Sequence, residues 1–121
     1  MEEFKLLTYP EVYSKLCFET AIVVFMKKDE SIRIMLCTRN MPTIRLKYGM
    51  QSQVLAGHDR RCSISNGNLA VFDLVAGDAR QFNIDRLTSY NSLGVISTME
   101  ELERAYEHFN NFVKLYNDSN E

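Results

Sequence analysis

The strict alternation at residues 32–38 constrains this chain most. Ile32, Ile34 and Leu36 alternate with Arg33, Met35 and Cys37, directly after an unbroken apolar run, Ala21-Ile22-Val23-Val24-Phe25-Met26, and a polar turn, Lys27-Lys28-Asp29-Glu30-Ser31. Side chains of a strand point to opposite faces in turn, so a two-residue period describes a strand with one apolar side. The run at 21–26 is rich in β-branched residues and too short for a helix, which makes it a central strand. Together they predict a hairpin over 22–38. A second hairpin is predicted over 69–85. Leu69-Ala70-Val71-Phe72-Asp73-Leu74-Val75 leads through Ala76-Gly77-Asp78 into a segment where Arg80, Phe82 and Ile84 alternate with Gln81, Asn83 and Asp85. Gly77 supplies the positive φ that such a turn asks for.

The flanks read as helices. Thr8, Pro10 and Glu11 form a capping box with proline in the first turn, so a short helix is expected to about Cys17, with Val12, Tyr13, Leu16 and Cys17 on one face. Thr98 and Glu101 repeat the capping box and open a helix over 98–116. Along it Met99, Leu102, Tyr106, Phe109, Val113 and Tyr116 form an apolar seam of the kind used between helices. The seam either packs on the chain's own β core or N-terminal helix, or meets a partner or a second copy. On the second reading Leu102, Tyr106, Phe109, Val113 and Tyr116 are the candidate partner-binding residues, and a homodimer through this helix is included. Between the hairpins Pro42 breaks the strand pattern, since proline cannot donate to a central ladder. Ile44, Leu46 and Tyr48 then alternate with Arg45 and Lys47, which suggests a short strand or an ordered loop. Residues 49–68 read as a long irregular connection, and 117–121 as a frayed tail.

The expected architecture is α+β in one domain over 1–121: an N-terminal helix within 1–20, an antiparallel β core of two hairpins over 21–90, and the C-terminal helix. A chain of 121 residues suits one domain, and 45% hydrophobic residues argue against disorder. The longest apolar run, 21–26, is far short of the ~20 residues that span a bilayer. Met1-Glu2-Glu3 is acidic where an export signal is basic. A cytoplasmic protein without a membrane partner is therefore expected. Three cysteines, Cys17, Cys37 and Cys62, suit small buried side chains better than a disulfide framework.

Charge is uneven. Residues 21–90 carry ten Lys/Arg and six Asp/Glu, a net of +4, while both flanks are net acidic. If Arg33 and Arg80 share a sheet face, Arg39, Arg45, Lys47, Arg60, Arg61 and Arg86 would extend it into a phosphate-binding surface, with Tyr48, Phe72 or Phe82 stacking on bases. The alternative is that the arginines solvate an apolar sheet and the phenylalanines are core. His58 and His108 are the only histidines. His58-Asp59-Arg60-Arg61-Cys62 reads either as a thiol beside a base and cations or as a solvated loop. Cys37, His58 and Cys62 lack the paired spacing of a zinc site. No phosphate loop or dinucleotide fingerprint is present. Asp73, Asp78 and Asp85 sit on or near turns, where aspartate bonds its own backbone. No catalytic residue, metal or cofactor is expected.

Two segments together resemble a known family. The first is Val24-Phe25-Met26-Lys27-Lys28-Asp29-Glu30-Ser31-Ile32-Arg33, continuing to Leu36-Cys37-Thr38-Arg39-Asn40 and Pro42. The second is Val71-Phe72-Asp73-Leu74, then Gly77 and Arg80-Gln81-Phe82. They resemble small proteins of T-even-like tailed bacteriophages described as WYL-like, with an Sm/SH3-type β-barrel. Glu30 stands where that family has a turn glycine, and Ala79 where a tryptophan precedes the arginine. The resemblance covers roughly residues 22–87 and implies a small Sm/SH3-like barrel in the host cytoplasm. Such barrels often bind nucleic acid or small ligands, and fold alone does not fix function. The expected function is a non-enzymatic accessory protein that binds a host or phage macromolecule by protein contact; the alternative is a nucleic-acid-binding barrel with a basic β face.

Overall fold

The computed structural model describes residues 7–49 and 54–119. Met1-Glu2-Glu3, residues 50–53 of the expected connection and the last two residues of the tail lie outside the described residues. The fold is α+β: a five-stranded antiparallel sheet with four helices.

Helix α1, Tyr9–Phe18, opens on the predicted box. The Thr8 hydroxyl accepts the Glu11 N–H, and the Glu11 carboxylate accepts the Thr8 N–H at 3.0 Å. Val12 and Leu16 are fully buried, while Tyr13 and Cys17 lie towards the helix flank. Strands β1, Thr20–Met26, and β2, Ile32–Thr38, pair along their whole length. In their turn Glu30 holds φ at 70°, a conformation that glycine adopts without a Cβ penalty. Strands β3, Asn68–Asp73, and β4, Asp78–Asn83, form the second hairpin, in register from Asn68↔Asn83 to Asp73↔Asp78. Gly77 turns it at φ 73°, and a Cβ there would lie 2.8 Å from the Tyr48 ring.

Two expectations are corrected. The segment with Ile44, Leu46 and Tyr48 is neither strand nor loop but helix α2, Met41–Tyr48. Asn40 caps it through its side chain, and Pro42 sits in the first turn, where a missing N–H costs nothing. Ile44 and Tyr48, four apart, then share a helix face. The β core also has a strand beyond the two hairpins. After one 3-10 turn, Ile84–Arg86, strand β5, Leu87–Ser92, pairs antiparallel with β1, giving the order β4-β3-β2-β1-β5. Within the expected connection lies a short helix, α3, Ala56–Asp59. The C-terminal helix, α4, spans Met99–Ser119, beyond the predicted end.

The sheet curls. Phe25 on β1 and Phe82 on β4 stack with ring centroids 5.2 Å apart, although β2 and β3 lie between their strands. A flat sheet would hold those strands about 14 Å apart. The concave face buries Val23, Phe25, Met35, Val71 and Phe82 against Val12 and Leu16 of α1. The convex face buries Ile22, Leu36 and Phe72 under Ile44 of α2 and Leu102 and Ala105 of α4. Thr43 of α2 donates its hydroxyl to Ile96 O at 2.7 Å, which ties α2 to the approach of α4. Each fully buried large side chain contributes about 2 kcal/mol, so the two layers dominate stability.

The sheet is not closed. Among the described residues β4 pairs only with β3 and β5 only with β1, so a complete barrel is not formed. Among the described residues the hairpins join through two ladder pairs, Cys37↔Asp73 and Thr38↔Phe72, with the Leu74 N–H donated to Leu36 O beside them. Beyond them the inner edge of β3 is covered by side chains: Tyr9 donates its hydroxyl to Asn68 O at 2.9 Å, and Arg39 Nη1 donates to Ala70 O at 2.7 Å.

Candidate functional site

The opening left by the curled sheet is a cleft of about 1040 Å³. One wall is β4, represented by five consecutive residues, Ala79 to Asn83. The opposite wall is the end of the first hairpin, Phe25 to Asp29, with Arg33 and Arg86. The stacked Phe25 and Phe82 form the floor. His58 of α3 and the asparagines Asn66 and Asn68 close one end.

The cleft is basic because four separate segments deliver cations to it. Lys27 and Lys28 come from the β1–β2 turn, Arg33 and Arg80 from β2 and β4, and Arg86 from the 3-10 turn. Asp29 is the one carboxylate among the lining residues. Its two hydrogen bonds from Ser31 hold it below its ordinary pKa range, so it stays ionised. Arg33 pairs with Phe25 and Arg80 with Val71, residues of the concave face, so Arg33 and Arg80 do lie on one face. Arg80 Nε approaches Asp73 Oδ2 at 3.1 Å, a charge contact outside good hydrogen-bond alignment. Arg86 Nη1 donates to Lys27 O at 3.2 Å and fixes the 3-10 turn to the hairpin end.

The other predicted cations are elsewhere. Arg39 is consumed by the fold: it forks onto Asp59 at 2.9 and 3.2 Å, bonds Ala70 O, and lies 4.4 Å over the Tyr13 ring. Lys47 sits over Tyr106, with Nζ 3.3 Å from its hydroxyl. Arg45 on α2 and Arg60 and Arg61 after α3 are exposed and do not line the cleft. Phe72 and Phe82 are core, 1% and 3% exposed, and offer no face to a base. Tyr48 is half-buried, with its hydroxyl donated to Leu74 O. Sequence reasoning left out Lys27 and Lys28 as site residues, while Arg86, one of the loop arginines it included, does line the cleft. The signal was the pair of lysines in a hairpin turn, which gains meaning only once β5 returns to β1.

No protein-family model, curated protein or solved structure matches the chain.

The helix seam divides in two. Leu102 is fully buried in the chain's own core, and Tyr106 donates its hydroxyl to Leu74 O at 2.6 Å. Phe109, Val113 and Tyr116 are half-buried farther along α4. His58 has a hydrogen-bond partner other than Cys62. His58 Nδ1 lies 3.0 Å from the Gln81 side-chain amide, and burial together with the Asp59 charge pushes the Cys62 thiol up. A nucleophilic thiol needs the opposite shift. Cys37 is fully buried and also raised. Among the described residues no group of three or more His, Cys, Asp or Glu is placed to hold a metal, and no helix is long and apolar enough to cross a membrane.

Proposed function

We propose that this protein is a non-enzymatic accessory factor of the host cytoplasm that binds a host or phage macromolecule by protein contact, and that the contact is made in the basic cleft rather than along the helix seam. The observation that carries this reading is the cleft itself: a strand edge that has no neighbour among the described residues, facing a wall of cations. The curl of the sheet, together with the return of β5 to β1, brings the sheet edges towards each other as a barrel requires. That supports an Sm/SH3-like barrel held open at β4.

The test is affinity capture from a lysate of phage-infected host cells. The wild type should retain a specific protein, and the Lys27→Glu/Lys28→Glu/Arg33→Glu variant should lose it, with nuclease treatment changing neither result. Retention of no protein, or release by nuclease, overturns the reading.

The convergence of Arg33 and Arg80 on one face favours a second reading, a nucleic-acid site. Binding through phosphates falls steeply as salt rises from about 50 to about 200 mM. Gel shifts with single- and double-stranded DNA and RNA that show no complex at low salt would exclude it.

A further inference from the structure

We infer that the occupant of the cleft is an extended, acidic polypeptide segment that adds to β4 as a sixth strand. This rests on the protein-contact reading and names the chemistry of the partner.

The geometry of β4 leads to it. Neighbouring residues of a strand point to opposite faces, so a cleft that touches five in a row runs along the strand's edge. Residues from both sides of the sheet line the same cleft: Phe25 belongs to the concave core, and Gln81 bonds His58 of α3 on the convex side. A cavity that reaches both must pass around the β4 edge.

The ladder shows which backbone groups point there. In an antiparallel pair, residues alternate between bonding the neighbour and pointing away from it. Ala79 turns its N–H onto the Asp78 carboxylate at 2.8 Å, away from β3, which places Gln81 and Asn83 in the same outward row. The far edge of β3 agrees: Asn68 O and Ala70 O, in register with Asn83 and Gln81, also point out of the pair. On that far edge Tyr9 and Arg39 cover the carbonyls. Among the described residues, the side-chain cap on the outward row of β4 is at Ala79, and the row at Gln81 faces the cleft. An edge of this kind is a template for another strand.

Charge selects the strand. Five cations line the cleft; Asp73 offsets Arg80 from outside the lining and Asp29 is the one carboxylate within it, so the remaining excess of positive charge favours carboxylates on the incoming segment. A nucleic acid would share the charge, but the floor phenylalanines are buried and give bases nothing to stack on.

The probe is a fluorescent eight-residue peptide of alternating Glu and Val, measured by anisotropy. It should bind the wild type saturably and slow exchange of the Gln81 amide. Gln81→Pro removes the outward N–H without touching the β3 ladder, where an edge tolerates proline. That variant should bind at least tenfold more weakly, and Gln81→Ala, which loses only the side chain, within twofold of wild type. Arg33→Glu should also weaken binding tenfold. The same peptide N-methylated at alternate residues should not bind the wild type, a check that holds even if Gln81→Pro fails to fold. No saturable binding up to millimolar peptide, or equal binding by the N-methylated peptide or by folded Gln81→Pro, overturns the proposal. In the lysate capture, a protein held equally by wild type and Gln81→Pro would end strand addition while leaving protein contact intact. Capture of no protein would end both.

Discussion

Arg39 shows how a residue's role is set by partners far along the chain. It and Arg33 are six residues apart and both follow the first hairpin's pattern, yet one faces the cleft and the other closes the fold. The difference is Asp59, which accepts the Arg39 fork, and Ala70 O, which would otherwise be an uncovered strand carbonyl. The Arg39 side chain is 8% exposed and that of Asp59 40%, so the pair is only partly screened by water. Arg39→Ala is expected to lower stability by about 3 kcal/mol, because it strands a carboxylate and a carbonyl together. Arg39→Lys should recover only part of this, since an ammonium cannot fork. Urea denaturation checks both, with exposed Arg60→Ala expected to stay within about 0.5 kcal/mol of wild type. The sequence displays the cations but not the carboxylate each will meet. That is why Arg33 and Arg80 were legible as a pair while Arg39 was misplaced among them.

At the scale of elements, capping chemistry was the most readable feature. Both capping boxes form, at Thr8/Glu11 and Thr98/Glu101. What misled was period: Ile44, Leu46 and Tyr48 fit a two-residue repeat, while Ile44 and Tyr48 also fit a helix. The deciding signal lay upstream, in Asn40 followed by Pro42. Asn40 joins two helices: its Oδ1 accepts the Thr43 N–H, and its Nδ2 donates to Cys17 O and Phe18 O at the end of α1. Asn40→Ala should therefore cost about 2 kcal/mol, above the usual loss for a single cap, by thermal or urea unfolding. β5 was hidden for another reason. Only Leu87 of its six residues is buried, so no alternation marks it. The α4 cap carries a pH dependence. Backbone hydrogen bonds from Ser97, then bonds from Thr98, hold the Glu101 carboxyl below its ordinary range. A folded-state pKa below the unfolded one gives stability that is present above the ordinary carboxylate range and is lost as pH falls through the lowered value. Acidification from about pH 5 to pH 2 should thus loosen the start of α4, and Glu101→Gln should remove that component of the acid response. Amide exchange at residues 99–102 followed against pH is the measurement, and identical profiles for the two proteins would contradict it.

Over the whole molecule, the charge asymmetry between core and flanks was visible in the sequence, but the cleft was not. It needs Lys27 and Lys28 brought beside Arg80, and Arg86 beside Lys27, through a curl and a strand return that link residues more than fifty positions apart. Such contacts leave no local periodicity. Their electrostatic consequence is measurable without any ligand. Lys27, Lys28, Arg33 and Arg86 share one cleft with Arg80, which Asp73 offsets, and with Asp29 as the only lining carboxylate, so the free protein holds mutual repulsion that folding brings together. At about 10 mM salt the Debye length is near 30 Å and the cations interact fully; at about 150 mM it is near 8 Å and they are largely screened. Raising sodium chloride across that range should raise Tm by roughly 2 °C, in the range set by a few tenths of a kcal/mol for a chain of this size. The acidic residues of α4 also gain from screening, so wild type alone does not locate the effect. Arg33→Gln does: it removes one cation from the cleft and leaves α4 untouched, and its Tm should respond less to salt than the wild type's. Equal salt responses in the two proteins would show that the cleft cations do not repel one another appreciably, and would remove the electrostatic reason for an acidic occupant.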